Sequence, residues 1–259
     1  MSLQNAFAVA MKDLREVFSN IGIYGPMFGV PLFFAIVLPV LTLYIATNAA
    51  PAAVIKLVQL PVQPSDIYLK SMAFTLFFAV NVLGPIFMTM PIFTASVIAA
   101  DSFVGEKERK TGEALLSMPI SNNELLLGKL LASFIPAVVL TLGVFALYGG
   151  VVDYLAYGQF GVYLLPTIPW LMMLAASPLL AIAAMGIVVF VSSNVKSIKE
   201  AQQISSLLVL PVLLMPFASI FGAAKITFSF MLYLIIGLAV ADLLIIYIAA
   251  KRFKREAML

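Results

Sequence analysis

The sequence predicts an all-α integral membrane protein with six transmembrane helices, and three observations carry this prediction. Of the 259 residues, 63% are hydrophobic and 10% are charged, and the mean hydropathy is +1.10. Soluble domains are about 45–50% apolar and about 25% charged. The apolar residues form long stretches, and most of the charged residues cluster between them. A water-soluble fold of this size could not hide so much apolar surface.

Several classes of function are excluded by residues that the chain lacks. It contains no Cys and no His, so it has no disulfide, no thiolate and no imidazole ligand or base. Serine hydrolases with a histidine base, zinc membrane proteases and haem carriers are therefore excluded. An intramembrane enzyme would also lack a close pair of carboxylates inside the spans. We expect no catalytic residue, metal or cofactor on this chain.

The first element is an N-terminal amphipathic helix over residues 1–21. Its charged residues, Lys12, Asp13, Arg15 and Glu16, lie on other faces than the apolar ones. Such a helix is too charged to span a bilayer and is suited to the headgroup region. The alternative is a frayed, solvated N-terminus. The apolar residues repeat at intervals of three or four: Leu3, Phe7, Ala10, Leu14, Val17 and Ile21.

Six stretches are long enough to span, since a spanning helix needs about 20 mainly apolar residues. The second has 29 residues, so it must tilt, kink or extend into the cytosol, and Pro85 and Pro91 favour a kink. Prolines and a glycine in residues 211–229 leave open a broken or re-entrant segment. The predicted spans are Tyr24–Thr47, Met72–Ala100, Leu130–Val152, Pro166–Val191, Ile204–Ala223 and Phe228–Ala250.

Basic residues predict the orientation, because Lys and Arg are retained on the cytoplasmic side. If the chain lies in the cell membrane with both termini on the cytoplasmic side, 12 basic residues are cytoplasmic and 3 are outside. The outer three are Lys56, Lys70 and Lys225. The formal net charge of +3 equals the charge of residues 251–259, which we interpret as an anchor at anionic lipid headgroups and not as a nucleic-acid site. The inner set comprises Lys12, Arg15, Lys107, Arg109, Lys110, Lys129, Lys196, Lys199, Lys251, Arg252, Lys254 and Arg255.

The segment between the second and third spans, residues 101–129, holds nine charged residues. Its pattern predicts a short helix over Gly105–Met118, with Glu106 and Lys110 as an i,i+4 pair. Pro119 ends that helix. A second helix begins at once, because Ser121 and Glu124 form a capping box and Ile120 and Leu125 its hydrophobic staple.

A family resemblance rests on this segment. The run Val104-Gly-Glu-Lys-Glu-Arg-Lys-Thr-Gly-Glu-Ala-Leu-Leu-Ser-Met-Pro-Ile-Ser121, continued by Glu124-Leu-Leu-Leu-Gly-Lys129, resembles the membrane subunits of type-2 ABC exporters. The stretch from Val195 to Gln203 is similar to the family's segment between spans four and five. A phosphate-binding loop is not present here, because Arg109 stands where the Walker pattern needs Gly.

The resemblance implies a permease that has no ATPase of its own. Two six-span membrane subunits, identical or related, would pair within the lipid and dock on two ATPase subunits that hold ATP and Mg. The segment after span two would be a cytoplasmic coupling helix. The alternative is a solvated charged helix that touches only water and headgroups. The implied ATPase contacts are Glu106, Lys107, Glu108, Arg109, Thr111 and Glu113, with Lys196, Lys199 and Glu200 in the second segment.

Asp242 is the one ionisable residue well inside a predicted span. A carboxylate there is costly, so it should face a partner, a polar interior or water. It either belongs to a cation or proton path, or is a buried acid hydrogen-bonded to a nearby Ser, Thr or Tyr. The first interpretation supports an alternative function, a stand-alone secondary transporter or channel, although no inverted repeat is visible.

Overall fold

A computed structural model describes residues 3–19, 21–48, 67–110, 120–222 and 226–252. These residues contain no β-strand, and six of their helices are long and apolar enough to cross a membrane. The predicted all-α membrane fold is therefore confirmed. The helices are α1 (Leu3–Ser19), α2 (Ile21–Asn48), α3 (residues 67–108), α4 (Asn122–Phe160), α5 (Ile168–Val191), α6 (Ile198–Ser206), α7 (Val209–Ile220) and α8 (Phe228–Arg252).

The second span, α3, is interrupted in several places. It consists of α-helix at Ile67–Phe77, Gly84–Met88, Met90–Ala100 and Glu106–Glu108, joined by π-helical turns at Phe78–Leu83 and Asp101–Gly105. The chain makes a turn at Thr89, whose hydroxyl donates to the Ile86 carbonyl at 2.6 Å. Pro85 and Pro91 each lie at the start of a segment that follows an interruption, because proline lacks the N–H that an uninterrupted helix needs. The helix thus extends well beyond the 29 residues of the predicted span.

The centre of the bundle is α3, which contacts α2, α4, α5, α6 and α7. Beside it, an aromatic cluster joins Phe87 to Tyr148, with ring centroids 4.7 Å apart, and Tyr148 to Trp170 at 5.0 Å. The last span, α8, is different. Only 11% of the residues in its apolar 18-residue stretch are buried, against 67% for the corresponding stretch of α3. It packs mainly on α5, so most of α8 is left for lipid or another chain to cover.

The fifth span is broken but does not turn back within the residues described. Helix α6 ends at Ser206, a turn follows at Leu207–Leu208, and α7 continues to Ile220. Gly222 then adopts φ of 70°, a left-handed conformation that glycine enters without steric cost. Residues 223–225, which belong to the possible re-entrant segment, lie outside the described residues.

The segment predicted as a helix over Gly105–Met118 differs from expectation. Helix α3 ends at Glu108, and Lys110 adopts φ of 56°, which an uninterrupted helix does not permit. The helical spacing predicted to pair Glu106 with Lys110 is therefore interrupted, and Glu106 forms ion pairs with Lys12 and Lys129. Residues 111–119 lie outside the described residues. The capping box is confirmed, since the Glu124 amide donates to Ser121 Oγ and the Ser121 amide donates to Glu124 Oε2.

Candidate functional site

Helix α1 packs along α4 at one end of the helix bundle. We call this end the charged end, because it carries Asp101, Glu106 and Lys129. The buried residues of α1 recur at intervals of three or four, as a helix face requires: Ala6, Val9, Ala10, Asp13 and Val17. The predicted apolar stripe overlaps this face only in part, since Phe7 is exposed. The two helices approach closely at Gly128, where an added Cβ would lie 2.6 Å from the Ala6 carbonyl oxygen. The Ile120 and Leu125 staple packs with Val9 of α1.

A buried lysine, Lys129, lies at the centre of the charged end. Its side chain is 0% exposed, and its ammonium lies 2.8 Å from Glu106 Oε2 and 3.7 Å from Asp13 Oδ2. The Lys129 ammonium also donates to the backbone carbonyl of Ser102. The Ser102 hydroxyl in turn donates to Asp13 Oδ2. Lys129, Glu106 and Asp13 thus each have an oppositely charged partner, which is the condition under which burial of charge is tolerated.

Lys12 extends this group toward the surface. Its ammonium donates to Glu106 Oε1 at 3.0 Å and lies 3.4 Å from Asp13 Oδ1. Partial burial lowers the pKa of Lys12, but Asp13 and Glu106 outweigh it, and the net pKa is raised above 10.5. A lysine whose pKa is raised by folding stabilises the fold below its unfolded pKa, and this contribution is lost only as the pH rises through the folded value. The ion pairs of Lys12 are therefore intact at neutral pH.

A second group of ion pairs is centred on Arg109, just past the end of α3. The guanidinium donates to Asp101 Oδ1 at 2.8 Å and lies 3.1 Å from Glu16 Oε1 on α1. Partial burial lowers the pKa of Arg109, but Asp101 and Glu16 raise it by more. The two groups together form what we call the ion cluster: Lys12, Asp13, Glu16, Asp101, Ser102, Glu106, Arg109 and Lys129.

The ion cluster joins three elements that are distant in sequence. Lys12, Asp13 and Glu16 come from α1, Lys129 from α4, and the remaining members from the end of α3 and the turn that follows it. The π-helical turn at Asp101–Gly105 contributes two of them, and all five of its residues are buried. Helix α1 is thus tied by ion pairs to the end of the second span and the start of the third.

The two charged segments between spans also touch each other. Glu108 Oε2 at the end of α3 accepts a hydrogen bond from the Ile198 amide at the start of α6, at 2.9 Å. Ser197 caps α6 by accepting from the Glu200 amide, and Glu200 Oε2 accepts from the Lys196 amide at 2.9 Å. Ser205 further along α6 lies 2.7 Å from Ser96 of α3 between hydroxyl oxygens.

The residues predicted to contact an ATPase differ in their exposure, and two of them are not described. Glu106 is 3% exposed and is bonded inside the ion cluster, so it is not a surface residue of this chain. Thr111 and Glu113 lie outside the described residues. Lys107 is half-buried, whereas the rest are exposed at the charged end: Glu108, Arg109, Lys196, Lys199 and Glu200.

Sequence reasoning missed the roles of Asp13, Asp101, Ser102 and Lys129. Asp13 was placed on a polar face of α1, yet it shares the buried face with Val9 and Val17 at spacings of four. The signal available was the small residues Ala6 and Ala10 on α1 and Gly128 on α4, which permit close helix contact. Lys129 gave a weaker signal, because it stands alone in an apolar run.

Asp242 is buried in α8, with 3% of its surface exposed. Neither carboxylate oxygen has a hydrogen-bond partner among the described residues. The hydrogen bond to a Ser, Thr or Tyr that one interpretation predicted is therefore not formed in this part of the chain.

Comparison with known proteins agrees with this architecture. The sequence profile described as "ABC-2 family transporter protein" matches residues 8–237. The ABC transporter permease protein NatB of Bacillus subtilis (strain 168) is 34% identical over 162 residues, which are 60% of this chain and 40% of that relative. The aligned part thus covers less than half of the relative's length. The profile covers both predicted contact segments and five of the six spans in full. The chain therefore belongs to the ABC-2 transporter family, as a multi-pass membrane permease.

Proposed function

We propose that this chain is the permease subunit of an ATP-driven exporter, that it forms the substrate pathway as a dimer, and that it couples to separate ATPase subunits. One observation carries the proposal: the two charged segments meet, with Glu108 bonded to the Ile198 amide at 2.9 Å. They therefore form one surface, and each continues directly into a span. A single docked ATPase could move both segments together.

The ion cluster supplies a means to transmit that movement. Displacement of the end of α3 would pull through Glu106 on Lys129 of α4, which lies 2.8 Å from it. Lys129 in turn lies 3.7 Å from the buried Asp13 of α1. Separating a buried ion pair leaves uncompensated charges, at a cost of about 3–5 kcal/mol. The three elements should hence move as a unit and not independently. In this proposal ATP and Mg bind to the partner and not to this chain.

The test is co-purification with the cognate ATPase. We expect the double variant Lys196→Glu, Lys199→Glu to lose the ATPase, because it reverses two exposed charges on the joint surface. Charge complementarity governs partner choice at such surfaces. The matched control is Lys196→Arg, Lys199→Arg, which preserves both charges and should retain the ATPase. Glu106 is unsuitable for this test, because its reversal would disrupt the ion cluster instead of the surface.

Two outcomes would contradict the proposal. One is full ATPase recovery by the charge-reversed variant with a correctly folded chain, which would place the docking surface elsewhere. The other is transport by the purified chain alone under an ion gradient and without ATPase, abolished by Asp242→Asn. That result would support the stand-alone secondary transporter instead.

A further inference from the structure

The starting point is the unpaired acid in the last span. Asp242 is buried, and neither of its oxygens has a partner in the described part of the chain. Helix α5, the main packing partner of α8, carries no ionisable residue between Ile168 and Val191. Lys129 is bonded within the ion cluster. The described chain therefore offers Asp242 no cation that would compensate the negative charge of an ionised carboxylate.

A groove is lined by Ile246, which follows this acid by one helical turn. It has a cavity volume of about 280 Å³ and lies between α4, α5 and α8, with Leu130, Phe134, Ile182, Gly186 and Ile246 among its lining residues. All residues that line it are apolar. Several of them are only half-buried, and Ile246 is exposed, so the groove reaches the surface of the bundle within its membrane-spanning part. Its volume lies just below the range for small-molecule sites, about 300–1,000 Å³.

Asp242 and the groove share one helix face. Ile246 follows Asp242 by four residues, so both lie on the same side of α8, about 6 Å apart along its axis. The neighbouring wall is close, because an added Cβ at Gly186 would lie 2.3 Å from Ile245 Cγ2. Gly186 itself lines the groove. The unpaired acid is thus one turn from a cavity that is otherwise wholly apolar.

We propose that this groove, together with Asp242, binds a lipophilic cation, with the apolar body of the ligand in the groove and its positive charge toward the carboxylate. An apolar cavity alone would accept any lipophilic molecule. The unpaired carboxylate selects for positive charge, because a cation compensates it and an anion repels it. The inference rests on the proposed function as permease, for which it names a substrate class.

The test compares two probes of one shape and opposite charge, tetraphenylphosphonium and tetraphenylborate. Their binding is measured by equilibrium dialysis on the purified full chain in nanodiscs, without ATPase. We expect the wild-type chain to bind the phosphonium, and Asp242→Asn to weaken that binding at least about tenfold. Tetraphenylborate binding should not weaken in Asp242→Asn. Leu130→Trp, which fills the groove, should weaken phosphonium binding.

The proposal is overturned if the wild-type chain fails to bind the phosphonium, if Asp242→Asn binds it as tightly as the wild-type chain does, or if that variant loses both probes equally. Leu130→Trp tests the groove through a residue other than the acid. Unchanged phosphonium binding in that variant would also overturn the proposal. Because no ATPase is present, failure here is separate from failure of the co-purification test.

Discussion

Lys129 and Lys12 contact the same two carboxylates in different surroundings. Glu106 and Asp13 lie within 4 Å of both ammonium groups. The Lys129 side chain is 0% exposed, whereas that of Lys12 is 49% exposed. An exposed ion pair contributes little because water competes for it, and a buried pair that loses one member leaves an uncompensated charge. Burial, and not the number of partners, therefore decides which lysine the fold depends on.

This difference predicts unequal effects of one substitution. We expect Lys129→Met to destabilise the chain by about 3–5 kcal/mol, because it leaves two buried carboxylates short of a cation. Lys12→Met should cost at most about 1 kcal/mol. Thermal unfolding of both variants in the same detergent would rank them. Equal shifts in Tm would show that Lys129 is not the centre of the cluster.

The positions of the helices were better predicted from the sequence than the contacts between them. Apolar stretches indicate spans directly, and the capping box at Ser121 follows from local hydrogen bonding. The end of α3 was not predictable, because the charges of Glu106 and Arg109 also suit a solvated helix. Glu106 bonds to Lys12 and Arg109 bonds to Glu16 on α1, which lies some 90 residues away in the chain. The small residues Ala6 and Ala10 indicate a close helix contact, but no local pattern shows that Asp13 faces a distant lysine.

The close approach of α1 and α4 can be tested at Gly128. A Cβ there would lie 2.6 Å from the Ala6 carbonyl oxygen and 2.7 Å from Val9 Cβ, so Gly128→Val should force α1 away. Such overpacking typically costs about 1–3 kcal/mol. The chain has no Cys, so Val9→Cys provides a single buried reporter. We expect Gly128→Val to raise the maleimide labelling rate of that reporter by about tenfold.

The matched control is Gly143→Val on the same helix, since nothing lies within 4 Å of a Cβ built there. It should leave the labelling of the Val9→Cys reporter unchanged. Equal labelling of the reporter in the Gly128 and Gly143 variants would mean that α1 does not depend on this contact.

For the whole molecule, the distribution of charge connects the fold with its orientation. Helix α4 has 39 residues, about 58 Å of helix, and exceeds the hydrocarbon core of about 30 Å at one end or both. Lys129 and the ion cluster lie at one of its ends, and Tyr163 follows the other. Basic residues are more numerous in the segments predicted at the charged end than in those predicted at the opposite end, 12 against 3. This difference predicts that the charged end faces the cytoplasm.

Orientation can be measured with single cysteines in this cysteine-free chain. Asn122→Cys places a thiol at the exposed start of α4, and Tyr163→Cys places one in the exposed loop at the opposite end. We expect a membrane-impermeant maleimide to label Tyr163→Cys on intact cells and Asn122→Cys only after permeabilisation. The cysteine-free parent controls for labelling of other proteins. The reverse pattern would place the charged end outside the cell. Neither ATP nor a cytoplasmic ATPase could then reach the surface formed by Glu108 and Ile198, so the proposed coupling would be wrong.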